Sequence, residues 1–324
     1  MLCSDPDVDR AHATGGRATG AVPRVPDTGR RTWRDALRAV RSARWSFWTE
    51  VFARFRYGDG FSSSRALALS LSLAFIPLVI ATVGLTGAPL TDGVGRVLRL
   101  TLTELSPGGS GYLIRTTLEQ EEGATAALVL GLAFAMASLT TAMGQVERGA
   151  NRIHGIARDR PSWRKYGRAL GLAVLAGFPA MAGSGMLLAG SAFGDAVESV
   201  YGWDDDTVMA IAVPAGSLLV VFAVLAMLRL APRRREPGWL WLGLGAGVAV
   251  ALWLAFTALL AAYVELSGSF GVVYGPLTGV IALLLWTQLT SVAIFFGCAV
   301  SAQLEAGHVG ITRGAEADRD RPAR

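Results

Sequence analysis

Gln288 stands in the middle of a long stretch without Asp, Glu, Lys or Arg, between Thr287 and Thr290 and beside Trp286. A carboxamide facing hydrocarbon leaves its N–H and C=O groups without partners, at a cost of several kcal/mol by order of magnitude. Gln288 is therefore predicted to face other helices, either bonding across to a neighbour or touching a ligand. Ser70, Ser72, Thr140, Thr141, Ser184, Thr257, Thr287, Thr290 and Ser291 are the further polar groups inside apolar stretches, and they suit hydroxyl contacts rather than proton relay. A second group, Gln145, Glu147, Arg148, Asn151 and Arg152, gathers where one apolar stretch ends. Glu147 and Asn151 are four apart and share a helical face, which suits either a gate network or ordinary anchoring at the membrane interface.

Bond-breaking chemistry needs a nucleophile with its base, a carboxylate pair or a metal cluster. His12, His154 and His308 fall in three unrelated segments, and none has metal-ligand spacing to another His, Cys or acid. Asp204, Asp205 and Asp206 form an acidic run whose ordinary role is a solvated helix start. No catalytic residue, metal site or cofactor is predicted. Cys3 and Cys298 lie in a polar leader and a deep apolar stretch, so no disulfide is expected.

The elements that hold these residues follow from composition. Of 324 residues, 52% are hydrophobic and 17% charged, more apolar surface than a soluble core of this length normally uses. A helix needs roughly 20 apolar residues to cross a bilayer. Charge-free stretches of that kind run at about 66–90, 124–146, 169–194, 207–228, 238–264 and 276–304. The predicted fold class is all-α, a polytopic membrane protein: a six-transmembrane-helix bundle with kinked helices over residues 66–305. Residues 1–31 read as a disordered polar leader and 306–324 as a disordered tail. Residues 32–65 read as a basic amphipathic helix and turn, set in the membrane surface or packed on the ends of the bundle.

Thirty Lys and Arg against 25 Asp and Glu give a net charge of +5. Position decides what that means. Twelve basic residues precede the first span, seven separate the second from the third, four close the fourth, and four lie in the tail. The alternate loops are acidic or uncharged apart from Arg96, Arg99 and Arg115. Basic residues mark the cytoplasmic side, so a multi-pass membrane protein with both termini in the cytoplasm is expected. Membrane lipids are the expected partners, not nucleic acid. Arg34, Arg38, Arg41, Arg233, Arg234 and Arg235 are candidate contacts to anionic lipid. A homo-oligomer is compatible with this reading.

Pro77, Pro179 and Pro214 each remove a backbone hydrogen bond inside a predicted span, so kinks or breaks are expected there. Gly171, Gly177, Gly183, Gly185 and Gly190 crowd the third span, and Gly243, Gly245 and Gly247 the fifth. Small residues at such spacing let helices approach closely, or leave a seam along which a substrate moves.

The chain resembles the YihY/BrkB-type bacterial inner-membrane proteins over roughly residues 50–305. The resemblance rests on YGPLTGVIALLLW with FFGCAVSAQLE, which include Tyr274, Trp286 and Glu305, and on ERGANRIHGIARDRPSWRKYGRAL, which includes Asn151, Arg152, Arg160 and Pro161. It departs from the family's pattern at Gly297, Cys298 and Ala299, where Gly-Ala-Glu is usual, so no proton or cation role resting on that acid is expected. The resemblance implies the architecture more than a mechanism. Members have been labelled as ribonucleases, but no His and Asp cluster here suits the metals that such chemistry uses, and that function is not expected. Two functions are: a transporter or exporter of a lipid or other small amphipathic molecule, or a non-transporting membrane scaffold. Gln145, Glu147, Asn151, Arg152, Ser184, Tyr274, Trp286 and Gln288 are the candidate bundle-interior or gate residues.

Overall fold

The computed structural model describes residues 45–86, 124–156, 162–233, 239–266 and 278–308, with residues 93, 96–98, 100 and 101 between the first two segments. Among them there is no strand. Helix α1 spans Trp45–Tyr57, α2 Gly60–Thr86, α3 Ala124–Ile153, α4 Ser162–Leu172, α5 Phe178–Tyr201, α6 Asp205–Leu230, α7 Trp239–Leu266 and α8 Thr278–His308. A five-residue π-turn, Ala173–Gly177, joins α4 to α5. Six of these segments are long and apolar enough to cross a bilayer, and α4, the π-turn and the first half of α5 make up the third of them.

Three antiparallel pairs build the bundle: α2 with α3, α5 with α6, and α7 with α8. Lipid tails are as apolar as leucine, so the pairs must gain from close contact rather than from burying oil. Glycine supplies that contact in each. A Cβ on Gly131 of α3 would lie 2.6 Å from the backbone nitrogen of Ala81 in α2. Gly183 and Gly216 face each other across α5 and α6, where a Cβ on the first would lie 2.6 Å from the carbonyl oxygen of the second. Gly245 and Gly297 do the same across α7 and α8, at 2.6 and 2.5 Å from each other's carbonyls.

The pairs close into a ring. Helix α8 packs on α2, α6 packs on α7, and α3 meets the third span along α4 and the π-turn. The π-turn has a local cause. Pro179 has no N–H to offer the carbonyl of Leu175, so the chain widens by one residue just ahead of it. A second break follows at Gly190, whose φ of 50° and ψ of −132° lie outside the helical region. Pro77 and Pro214 instead sit within continuous helices.

Helix α1 is the described part of the basic segment, and one of its faces packs on the bundle. Val51, Arg54 and Phe55 share one face, and all are buried against α8 and the ends of α2 and α3. Trp48, Phe52 and Tyr57 remain exposed. The chain reverses at Asp59, whose φ of 56° is a left-handed conformation that Asp tolerates better than most residues. The part of the amphipathic helix predicted before Trp45 lies outside the described residues.

Candidate functional site

Polar side chains that sequence separates widely converge at one end of the bundle. Arg54 is 2% exposed and donates from Nε to Oε1 of Gln303 at 2.8 Å. Its Nη1 donates to the carbonyl oxygen of Ile153 at 3.3 Å, capping the last turn of α3. Gln303 donates from Nε2 to Oε2 of Glu50 at 2.6 Å. One guanidinium thus ties α1 to α3 and α8, and Glu305 on α8 is fully buried nearby in sequence. Burial lowers the Arg54 pKa to about 10, against the opposing pull of Glu50, Cys298 and Glu305. Burial also raises Glu50, with Gln303 and Arg54 pulling the other way.

Helix α3 ends beside this cluster in a glycine motif. Gly155 has φ 72°, the N–H of Ile156 reaches back to Asn151 and that of Gly155 to Arg152, so the final carbonyls are satisfied. His154 is held there with Nδ1 2.8 Å from the carbonyl oxygen of Ala150, which makes Nδ1 the protonated nitrogen. The Sγ of Cys298 lies 3.8 Å from that nitrogen.

The predicted gate group sits at the same end. Glu147 and Asn151 are both buried, as their shared face requires. Asn151 accepts the backbone N–H of Arg233 at 2.8 Å through Oδ1 and so fixes the chain leaving α6. Arg152 is exposed and pairs with Asp59 in the α1–α2 turn. Gln145 is half-buried. These contacts and the Arg168 Nη2 bond to the carbonyl of Leu230, 3.2 Å long, place α1, the end of α3, the start of α4 and the ends of α6 and α8 on one side.

The mid-membrane candidates are not gathered into one place. Trp286 donates from Nε1 to Thr257 at 3.2 Å and meets Trp253 edge-on, joining α7 to α8. Its neighbour Thr287 faces Ser72 of α2, with the two hydroxyl oxygens 2.8 Å apart. Gln288 is half-buried on α8, and Ser184 is half-buried on α5 next to the Gly183 crossing. Their helices belong to different pairs. Tyr274, Arg34, Arg38, Arg41, Arg234 and Arg235 lie outside the described residues, whereas Arg233 is exposed at the end of α6.

Sequence reasoning missed Arg54, Glu50 and Gln303. The available signal was that Arg54 falls three residues after Val51 and one before Phe55, on the apolar face of its helix rather than among the solvent-facing arginines. Residues 51–321 match the profile of the family described as virulence factor BrkB. The chain belongs to that family. This BrkB-family protein is also similar to YfkH of Bacillus subtilis (strain 168), which carries the name ribonuclease-like protein. The two are 24% identical over 274 residues, covering 80% of this chain and 95% of the relative. No solved structure matches. Among the described residues no group of three or more His, Cys, Asp or Glu is placed to hold a metal ion.

Proposed function

We propose that this BrkB-family membrane protein is a carrier that moves a lipid or other small amphipathic molecule across a bacterial cytoplasmic membrane. The observation that carries the reading is the doubly broken third span. Backbone freed from its helix is tolerated at membrane depth where it lines a cavity or a path. Here the π-turn Ala173–Gly177 and the Gly190 break bracket Gly185, and a Cβ at Gly185 or Gly171 would meet nothing within 4 Å. Gly171 and Gly185 share the exposed side of this span with Val174, Leu175 and Leu188, an apolar face that suits an acyl chain better than a hydrated ion.

The protein acts in this reading by positioning and not by breaking bonds, and the ribonuclease-like name stays with the Bacillus relative. The distribution of arginine supports an orientation with both termini in the cytoplasm. The Arg54 cluster then lies at the cytoplasmic end, where it locks α1 onto α3 and α8 and gives the ring a fixed base.

The test is leaflet exchange of a fluorescent phospholipid in vesicles holding the purified full chain. Exchange faster than in protein-free vesicles, and slowed by Ser184→Leu on the broken third span in protein that still folds, supports the carrier. Exchange at the protein-free rate for phospholipids and single-chain amphipaths alike would sink it.

A further inference from the structure

Two arginines at the cytoplasmic foot of the third, fourth and fifth spans are paired with tryptophans instead of acids. Arg164 lies over the ring of Trp163 at 4.7 Å, and Arg229 over the ring of Trp239 at 3.5 Å. The Arg168 bond to the carbonyl of Leu230 draws α4 onto the end of α6, one residue from Arg229. The bond from the Arg233 backbone to Asn151 holds the exit from α6 at the same place. Arg164 and Arg233 are exposed, and Nη1 of Arg229 is buried without a hydrogen-bond acceptor among the described residues. The stacked tryptophans are 72% and 64% exposed, far more than a packing role requires.

We propose that this arginine and tryptophan cluster binds the phosphate headgroup of anionic phospholipid. Guanidinium groups present paired N–H donors that match phosphate oxygens. The face of an indole attracts the guanidinium through its ring quadrupole and leaves the N–H donors at the guanidinium edge. Exposed tryptophan favours headgroup depth, which fixes the level at which the phosphate is met. Gly167 and Gly171, where an added Cβ would meet nothing within 4 Å, lie on the same helix, α4, as Arg164 and Arg168. As a loading point for the exposed face of the third span the site rests on the carrier reading, but headgroup binding is measured without transport.

The test is native mass spectrometry of the full chain in detergent, with phosphatidylglycerol or phosphatidylcholine of identical acyl chains. The wild type is expected to retain phosphatidylglycerol preferentially. Arg164→Gln, Arg229→Gln and Arg233→Gln together should weaken that retention by about tenfold or more, since each basic residue near the headgroups contributes. The same three positions changed to Lys keep the charge but lose the paired donors and the stacking, so part of the preference should be lost, and Arg56→Gln with Arg65→Gln should leave it in place. Equal retention of the two lipids by the wild type, or undiminished preference in the triple glutamine variant, overturns the proposal. Displacement by millimolar inorganic phosphate would assign the site to a soluble phosphate and also overturn it. A positive binding result with no leaflet exchange would count against the carrier alone.

Discussion

The Nε of Arg54 and the Oε1 of Gln303 meet at 2.8 Å across 249 residues of sequence, joining the helix that precedes the first span to the helix that ends the bundle. Breaking a buried charged network by removing one member leaves the others desolvated and unsatisfied. Arg54→Ala is expected to destabilise the protein by about 3 kcal/mol, and Gln303→Leu by about 2 kcal/mol. Thermal unfolding in detergent checks both, and a change in either variant no larger than that of an exposed Arg56→Ala control contradicts the role given to the cluster.

Glu50 supplies a pH dependence. Its pKa is raised in the folded protein because burial disfavours the carboxylate. The folded state therefore takes up this proton more readily than the unfolded state, so the group's contribution improves as pH falls through the raised value and is least favourable above it. Glu50→Gln, which can still accept from Gln303, should be at least as stable as the wild type at pH 7. The gap should close toward pH 4. A gap that widens on acidification gives the wrong sign.

The glycine crossings predict a sharp contrast between positions of identical residue type. A side chain at Gly297 or Gly245 would drive into the facing backbone, so Gly297→Val should cost several kcal/mol, on the order of severe overpacking. Gly243→Val and Gly247→Val meet nothing within 4 Å and should fold normally. Size-exclusion profiles of the four single variants distinguish them, and equal behaviour would mean that the α7–α8 approach is not as close as described.

The six spans were legible because an uninterrupted charge-free stretch of sufficient length has few other uses. The contrast among glycines was not. The third and fifth spans hold so many that sequence alone does not say which one meets a partner, and Gly183 and Gly245 are selected only by Gly216 and Gly297 on other helices. Pro179 announced a break and the π-turn lies just before it, but the second break at Gly190 has no proline to mark it. The face shared by Glu147 and Asn151 could be read from their spacing. Arg54, Glu50 and Gln303 come together only when the first and last described helices pack, a contact to which local pattern is blind.

An exposed ion pair offers a check of scale at the same end of the protein. Arg152 and Asp59 are both solvent-accessible, and pairs of that kind contribute roughly 0–1 kcal/mol. A double-mutant cycle on Arg152→Gln and Asp59→Asn should give a coupling within that range, shrinking as salt is added. A salt-insensitive coupling above it would place the pair inside the buried network.

The most direct measurement is phospholipid leaflet exchange in vesicles containing Gly185→Leu, set beside Gly243→Leu and the wild type. Both glycines have open space where a side chain would extend, so neither change should disturb folding. Only Gly185 lies between the breaks of the third span. The account predicts rapid exchange with the wild type and with Gly243→Leu, and exchange slowed about tenfold or more by Gly185→Leu, the effect of a barrier raised by 1.4 kcal/mol. Equal rates for all three proteins would contradict a path along the broken span.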